Sequence, residues 1–422
     1  MRTFTIFMFK GSFLVLRRFP GRLLAAIVLM SMGLLELGSA QIAIRGDTVH
    51  TMAGTAIKNG VVLIRSGKID KVGSDSEIKI PKGFPVLRAK VVTPGLVDAH
   101  SVVGLSGYLN QAQDQDQVER SSPMQPELRA IDAYNPQERL VEWVRGFGIT
   151  TMHTGHGPGV LMSGQTMIVK TRGRTVDEAV INPRAMIAVT LGDSARDVVK
   201  GPGTRAKMVA LLRTELVKAQ EYSRKLETAA DDKKPGRDLH LEALTRVLKR
   251  EIPLMVTAHR ANDLISALRV AKEFGIRLVL DGAAESYLVT HEIREADVPV
   301  IVHPTMERAD GEAENLSMQT AATLKKAGIR IALQTGFESY VPKTRVLLYE
   351  AGVAAANGLT FDEALSAVTI DAARILGLDT RIGSLETGKD GDVALFDGDP
   401  FEYTTHCVGV VIEGEAVSQE QR

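Results

Sequence analysis

Between Val91 and Thr335, short apolar runs alternate with longer amphipathic stretches, and this alternation constrains the fold more than any other feature. The runs VVTPGLVDAH, ITTMHT, AMIAVTL, IPLMVTAH, IRLVLDG, VPVIVHP and IRIALQT have the length and β-branched content of buried strands. The stretches NPQERLVEWVRGFG, ANDLISALRVAKEFG and AENLSMQTAATLKKAG have helical periodicity, and each ends at a glycine directly before the next strand. Repeated strand–helix units of this size dictate a parallel sheet. Seven strands are clear, close to the eight of a closed barrel, so residues 91–380 are predicted to form a (β/α)8 TIM barrel of the α/β class. Gly155–Ile181 reads as a hairpin inserted in the third unit.

The two ends have a different character. Within 41–90, GVVLIRSGKIDKVG alternates apolar and polar residues about a Ser-Gly turn, and Asn59-Gly60 gives a second turn signal. Residues 381–422 are similar, so both ends are expected to build one small composite β-sandwich domain. The polar stretch 110–129 follows the first barrel strand. It is either plain filler or a flap over the barrel mouth.

Residues 1–40 carry the marks of a signal peptide. Arg17, Arg18 and Arg22 precede the apolar run Leu23 to Leu35, and small residues follow at Gly38 to Ala40. Cleavage after Ala40 would release an exported protein, periplasmic or secreted, with no stable membrane contact. Lysine plus arginine and aspartate plus glutamate both total 51, which gives no electrostatic reason to expect nucleic acid as a partner. A small-molecule substrate or ligand is the expected partner, and a homo-oligomer is left open. The single cysteine, Cys407, excludes an internal disulfide and a cysteine-based zinc site.

Barrel chemistry belongs at the C-terminal ends of strands. Of the nine histidines, five fall there: His100, His153, His156, His259 and His303. Asp281 and Thr335 end two further strands. Neutral imidazoles with a carboxylate and an open water position suit zinc, iron or manganese.

Two segments make the likeness specific. TPGLVDAH at 93–100 and TIDAARILGLDTRIGSLETGKDGDVALFDGDP at 369–400 resemble the bookends of the amidohydrolase superfamily, in its imidazolonepropionase-like branch. Residues 191–225 and 257–280 resemble the same branch. The resemblance implies a metal-dependent hydrolase of carbon–nitrogen bonds other than peptide bonds, with a barrel and a composite sandwich. It also implies ligands that this chain lacks. The second histidine of the His-x-His pair is Val102, the bridging-lysine position is Ala188, the sixth-strand histidine falls near Gly282, and the eighth-strand aspartate is Gly336.

Two readings follow. In one, a single divalent metal, zinc for preference, sits on His100 and His259, completed by His153, His156 or His303, with Glu338 or Asp281 as base. In the other, the barrel is catalytically silent and binds a small molecule or a partner without hydrolysis.

Overall fold

The computed structural model describes residues 41–196, 201–337 and 344–422. The signal-peptide reading of residues 1–40 therefore lies outside the described residues. Among those described, no helix is long and apolar enough to cross a membrane.

The two ends of the chain share one sheet. Its seven strands run in the order Glu415–Ser418, Cys407–Ile412, Val393–Phe396, Val86–Pro94, Ile42–Val49, Ile57–Arg65 and Lys68–Ser74. The Ser66–Gly67 turn forms as expected: Arg65 pairs with Lys68, and both turn residues have positive φ, 48° and 76°. Asn59–Gly60 is not a turn. Both residues lie inside Ile57–Arg65, and Asn59 takes up its positive φ of 47° within the strand. The composite unit thus exists as one continuous sheet rather than two stacked ones. Ile44, Ile64 and Val92 pack on one face, Ala43, Val61 and Leu63 on the other.

The middle of the chain supplies two more sheets. Ile187–Thr190, Leu254–Ala258, Leu278–Gly282, Val300–Val302 and Ile331–Ala332 form a parallel series. Leu96–Ser101 and Ile149–Thr154 form a parallel pair. The stretch 162–170 connects the sheets. Its first half pairs antiparallel with Ile187–Thr190, and its second half pairs antiparallel with Ile149–Thr154. At the other side, Ser101 bridges Gly336, and Gly336 N–H donates to His100 O at 3.2 Å. The inserted hairpin therefore stands where a third parallel strand was expected.

One apolar residue from each of the five strands of the longer parallel series enters a single buried cluster, Ala188, Met255, Val279, Ile301 and Ala332, joined by Val97, Ala99 and Ile168. Successive strand side chains alternate faces, so the residue two places on from an inward apolar one shares its face. That rule sets Thr257, Asp281 and Gln334 above Met255, Val279 and Ala332. The helices cover the outside. Ala261–Phe274 buries Leu264, Ala267, Leu268 and Ala271 and ends at Gly275, whose φ of 64° lets the chain turn into the next strand.

The stretch 110–129 packs down instead of trailing away. Gln117 and Gln125 are buried, Gly157 N–H donates to Gln117 O at 2.8 Å, and Met124 and Arg129 bridge Met162 and Gln165.

Candidate functional site

The strand ends meet in a small cleft of about 50 Å³ lined by His100, Thr257, His259, Asp281, Gln334 and Arg345, with Gly282 and Gly336. At its centre is a histidine–carboxylate pair. His100 Nδ1 lies 2.9 Å from Asp281 Oδ1, and both side chains are almost fully buried. An ionised carboxylate only accepts, so Nδ1 carries the proton and Nε2 is left without a partner. Burial works against the His100 imidazolium, but Asp281, with smaller help from Asp98 and Gln334, holds its pKa above the ordinary value near 6.5. Burial would likewise raise Asp281, yet His100 and the bonds from His100, Thr257 and Gln334 hold it below the usual carboxylate value.

Every oxygen of Asp281 is engaged. Oδ1 also accepts from Gln334 Nε2 at 3.0 Å, and Oδ2 accepts from Thr257 Oγ1 at 2.6 Å. Behind the pair stands Asp98, which accepts from Thr335 N–H at 3.0 Å and Thr335 Oγ1 at 2.5 Å. Burial pushes the Asp98 pKa up to about 6.

His259 faces the same cleft. Burial lowers its pKa, and its Nδ1 has no partner. A Cβ on Gly282 would come within 2.9 Å of the His259 ring. The glycine at the sixth-strand ligand position is thus what makes room for His259.

The other three histidines do not line this cleft. His153 is a strut: Nδ1 donates to Ala99 O at 2.7 Å, and Nε2 bonds Thr166 Oγ1 at 2.6 Å. With both nitrogens committed and its pKa pushed down to about 3 by burial, it is not free to ligate. His156 packs its ring on the backbone of Gly164. His303 donates from Nδ1 to Pro304 O at 2.7 Å. Burial takes both to about 4. Glu338 lies outside the described residues.

These donors do not fit a metal centre of the expected kind. Among the described residues, no three histidine, cysteine, aspartate or glutamate side chains could hold one ion between them. Val102 is fully buried, and its Cγ1 would lie 3.2 Å from a Cβ on Gly157. Asp281 is already saturated by protein donors, which leaves His100 and His259 as the open imidazoles of the cleft; His156 and His303 Nε2 also lack partners but do not line it. Catalytic zinc ordinarily takes three protein ligands.

The comparisons agree with this architecture. The chain superposes on a crystal structure of an amidohydrolase from Thermotoga maritima MSB8 with a TM-score of 0.84 and 30% identity, covering 90% of this chain and 100% of that one. The chain belongs to the amidohydrolase superfamily. Its residues 295–418 match the model of the Amidohydrolase family. An imidazolonepropionase from Sphingopyxis alaskensis is 25% identical over 383 residues, 83% of this chain and 91% of that one. Amidohydrolase tasK from Hapsidospora irregularis is 24% identical over 397 residues, 85% of this chain, but the chain spans only 40% of its length. The chain is thus imidazolonepropionase-like, and such relatives imply a TIM-barrel-type fold with a further domain. The superfamily is generally metal-dependent, which makes the donor set described above a departure within it.

The strand-end reading missed the cleft residues Thr257, Gln334, Glu307 and Arg345, and Asp98 behind the pair. Glu307 and Arg345 come from loops that no strand pattern marks. Thr257, Gln334 and Asp98 each lie within two residues of a strand-end residue, and the period-two rule on strands would have found Thr257 from His259 and Asp98 from His100.

Proposed function

We propose that this chain hydrolyses a carbon–nitrogen bond in a small cyclic amide, with His100 as the base. The observation that carries the reading is the buried His100–Asp281 pair, whose Nε2 has no protein partner. Asp281 fixes the tautomer that leaves Nε2 to accept, and its charge makes His100 more basic than an ordinary imidazole. The cleft volume suits a single small ring or a few waters.

The steps balance without any group beyond substrate, water and this chain. His100 Nε2 takes a proton from water as the water oxygen bonds to the amide carbon. The carbonyl electrons move onto oxygen, and the neutral His259 ring offers its N–H to that developing charge. The carbon–nitrogen bond then breaks, and the departing nitrogen takes the proton back from His100. The products are a carboxylic acid and an amine. The basic, apolar and small-residue pattern ahead of Gln41 supports a periplasmic or secreted setting for this chemistry.

The test is turnover of a panel of lactams, hydantoins and dipeptide-like amides by chelator-treated full-length protein. His100→Asn is expected to lower kcat by roughly a hundred- to ten-thousand-fold. Turnover that needs added metal, or survives in His100→Asn, overturns the base assignment. Ligand binding without turnover in the parent protein favours the silent reading, which Val102, Gly282 and Gly336 support.

A further inference from the structure

We propose that Gln334 is a specificity residue: its amide oxygen accepts the N–H of a secondary cyclic amide bound in the cleft beside Gly336. This rests on the reading of the cleft as a cyclic-amide site.

The orientation of the amide is settled by its neighbours. Nε2 lies 3.0 Å from Asp281 Oδ1 and 3.1 Å from Val302 O, with Ile301 O at 3.4 Å. Both amide hydrogens therefore have acceptors. The flipped amide would set Oε1 against a carboxylate and two carbonyls, a buried contact between acceptors only. The side chain is 3% exposed, so it has no room to swing away. Oε1 is consequently turned to the other side.

That side is the cleft. Oε1 lies 3.8 Å from the point a Cβ on Gly336 would occupy, and both residues line the cavity. Gly336 has a φ of 71°, and the absence of a side chain there leaves the oxygen with the Pro304 ring and His100 as its neighbours at the cleft wall. The eighth-strand carboxylate implied by the resemblance would have stood here. A neutral amide oxygen takes its place as the acceptor, held rigidly by the residue that also tunes His100. The ring selected by such an acceptor carries an N–H beside the carbonyl that His100 and His259 address. An ester-linked ring of the same shape would instead present an acceptor to an acceptor, the kind of mismatch that a built hydrogen-bonding site rejects.

The experiment compares 2-pyrrolidinone with γ-butyrolactone, which replaces the ring N–H by oxygen without adding bulk. Binding is read by NMR titration on full-length protein, and hydrolysis is followed in parallel. The parent protein is expected to bind the lactam at least about tenfold more tightly, and Gln334→Met should bring the two within about twofold. Equal binding by the parent protein overturns the proposal without recourse to a variant. So does a preference that survives in Gln334→Met, or the absence of binding by either ring. A preference without hydrolysis leaves the Gln334 assignment standing and removes the hydrolase reading. Hydrolysis with an unchanged preference in Gln334→Met does the reverse.

Discussion

Gly336 shows how one residue can decide what a site becomes. Its φ of 71° is a left-handed conformation, and a Cβ there would come within 2.6 Å of Pro304 Cγ. Gly336→Asp, which would restore the carboxylate the superfamily resemblance implies, therefore meets both backbone strain and a rigid ring. We expect it to cost about 1–3 kcal/mol, read as a lower urea midpoint. A variant as stable as the parent would show that the strand end can relax, and the lost carboxylate would then need another explanation. The same position marks the limit of what single residues reveal from sequence. The strand-end rule found His100, His259 and Asp281, which do meet in one cleft. It also nominated His153, His156 and His303, which end strands or follow them but turn elsewhere. Position along a strand is legible from pattern. Whether a ring nitrogen meets Thr166 Oγ1 or open space depends on neighbours distant in sequence, and no local signal carries that.

At the scale of elements, the parallel strands and the helices ending at glycine were legible because their periodicities are strong and local. The stretch 162–170 was less so. Its strands hold only four residues each, Met162–Gln165 and Met167–Lys170, and every one is buried, so no alternation betrays them. What anchors this hairpin is a buried cation. Lys170 is 3% exposed on its side chain and pairs with Asp390 at 3.0 Å and with Asp392, from the segment that enters the C-terminal strands. Asp390 keeps Lys68 and Arg381 as further partners, whereas the Asp392 carboxylate would keep the Glu413 N–H, at 2.9 Å, but no cation among the described residues. Lys170→Met should therefore strand one buried carboxylate and cost about 3 kcal/mol, measured by urea denaturation. Full stability in that variant would mean that Asp392 is neutral or finds a new donor, and the hairpin would owe its place to apolar packing alone.

For the whole molecule, the rim histidines set a dependence on acid that their individual roles do not suggest. Burial lowers the pKa of His153 to about 3, of His156 and His303 to about 4, and of His259 below its ordinary value. Each is neutral when folded and takes up a proton near pH 6.5 when unfolded. The unfolded state therefore binds more protons below pH 6.5, and stability falls as pH falls, until the folded pKa is reached. His100 has the opposite sign. Its raised pKa contributes stability that is complete below pH 6.5 and is lost as pH rises through the folded value, so it does not flatten the acid limb. Asp281, held low, loses its contribution only as pH drops below its ordinary value near 3.8. Between pH 6.5 and about 4 His153, His156 and His303 therefore act together, each worth about 1.4 kcal/mol per pH unit. Asp98, which folding protonates at about pH 6, offsets about one of them in the lower part of that window. The urea midpoint should decline steeply across that window. His153→Gln keeps one donor and one acceptor for Ala99 O and Thr166 Oγ1 but cannot titrate, so it should remove about one proton from the slope while lowering stability at pH 7 only modestly. An unchanged slope in His153→Gln would mean that His153 is already charged in the folded protein, and its place as a neutral strut between strands would have to be given up.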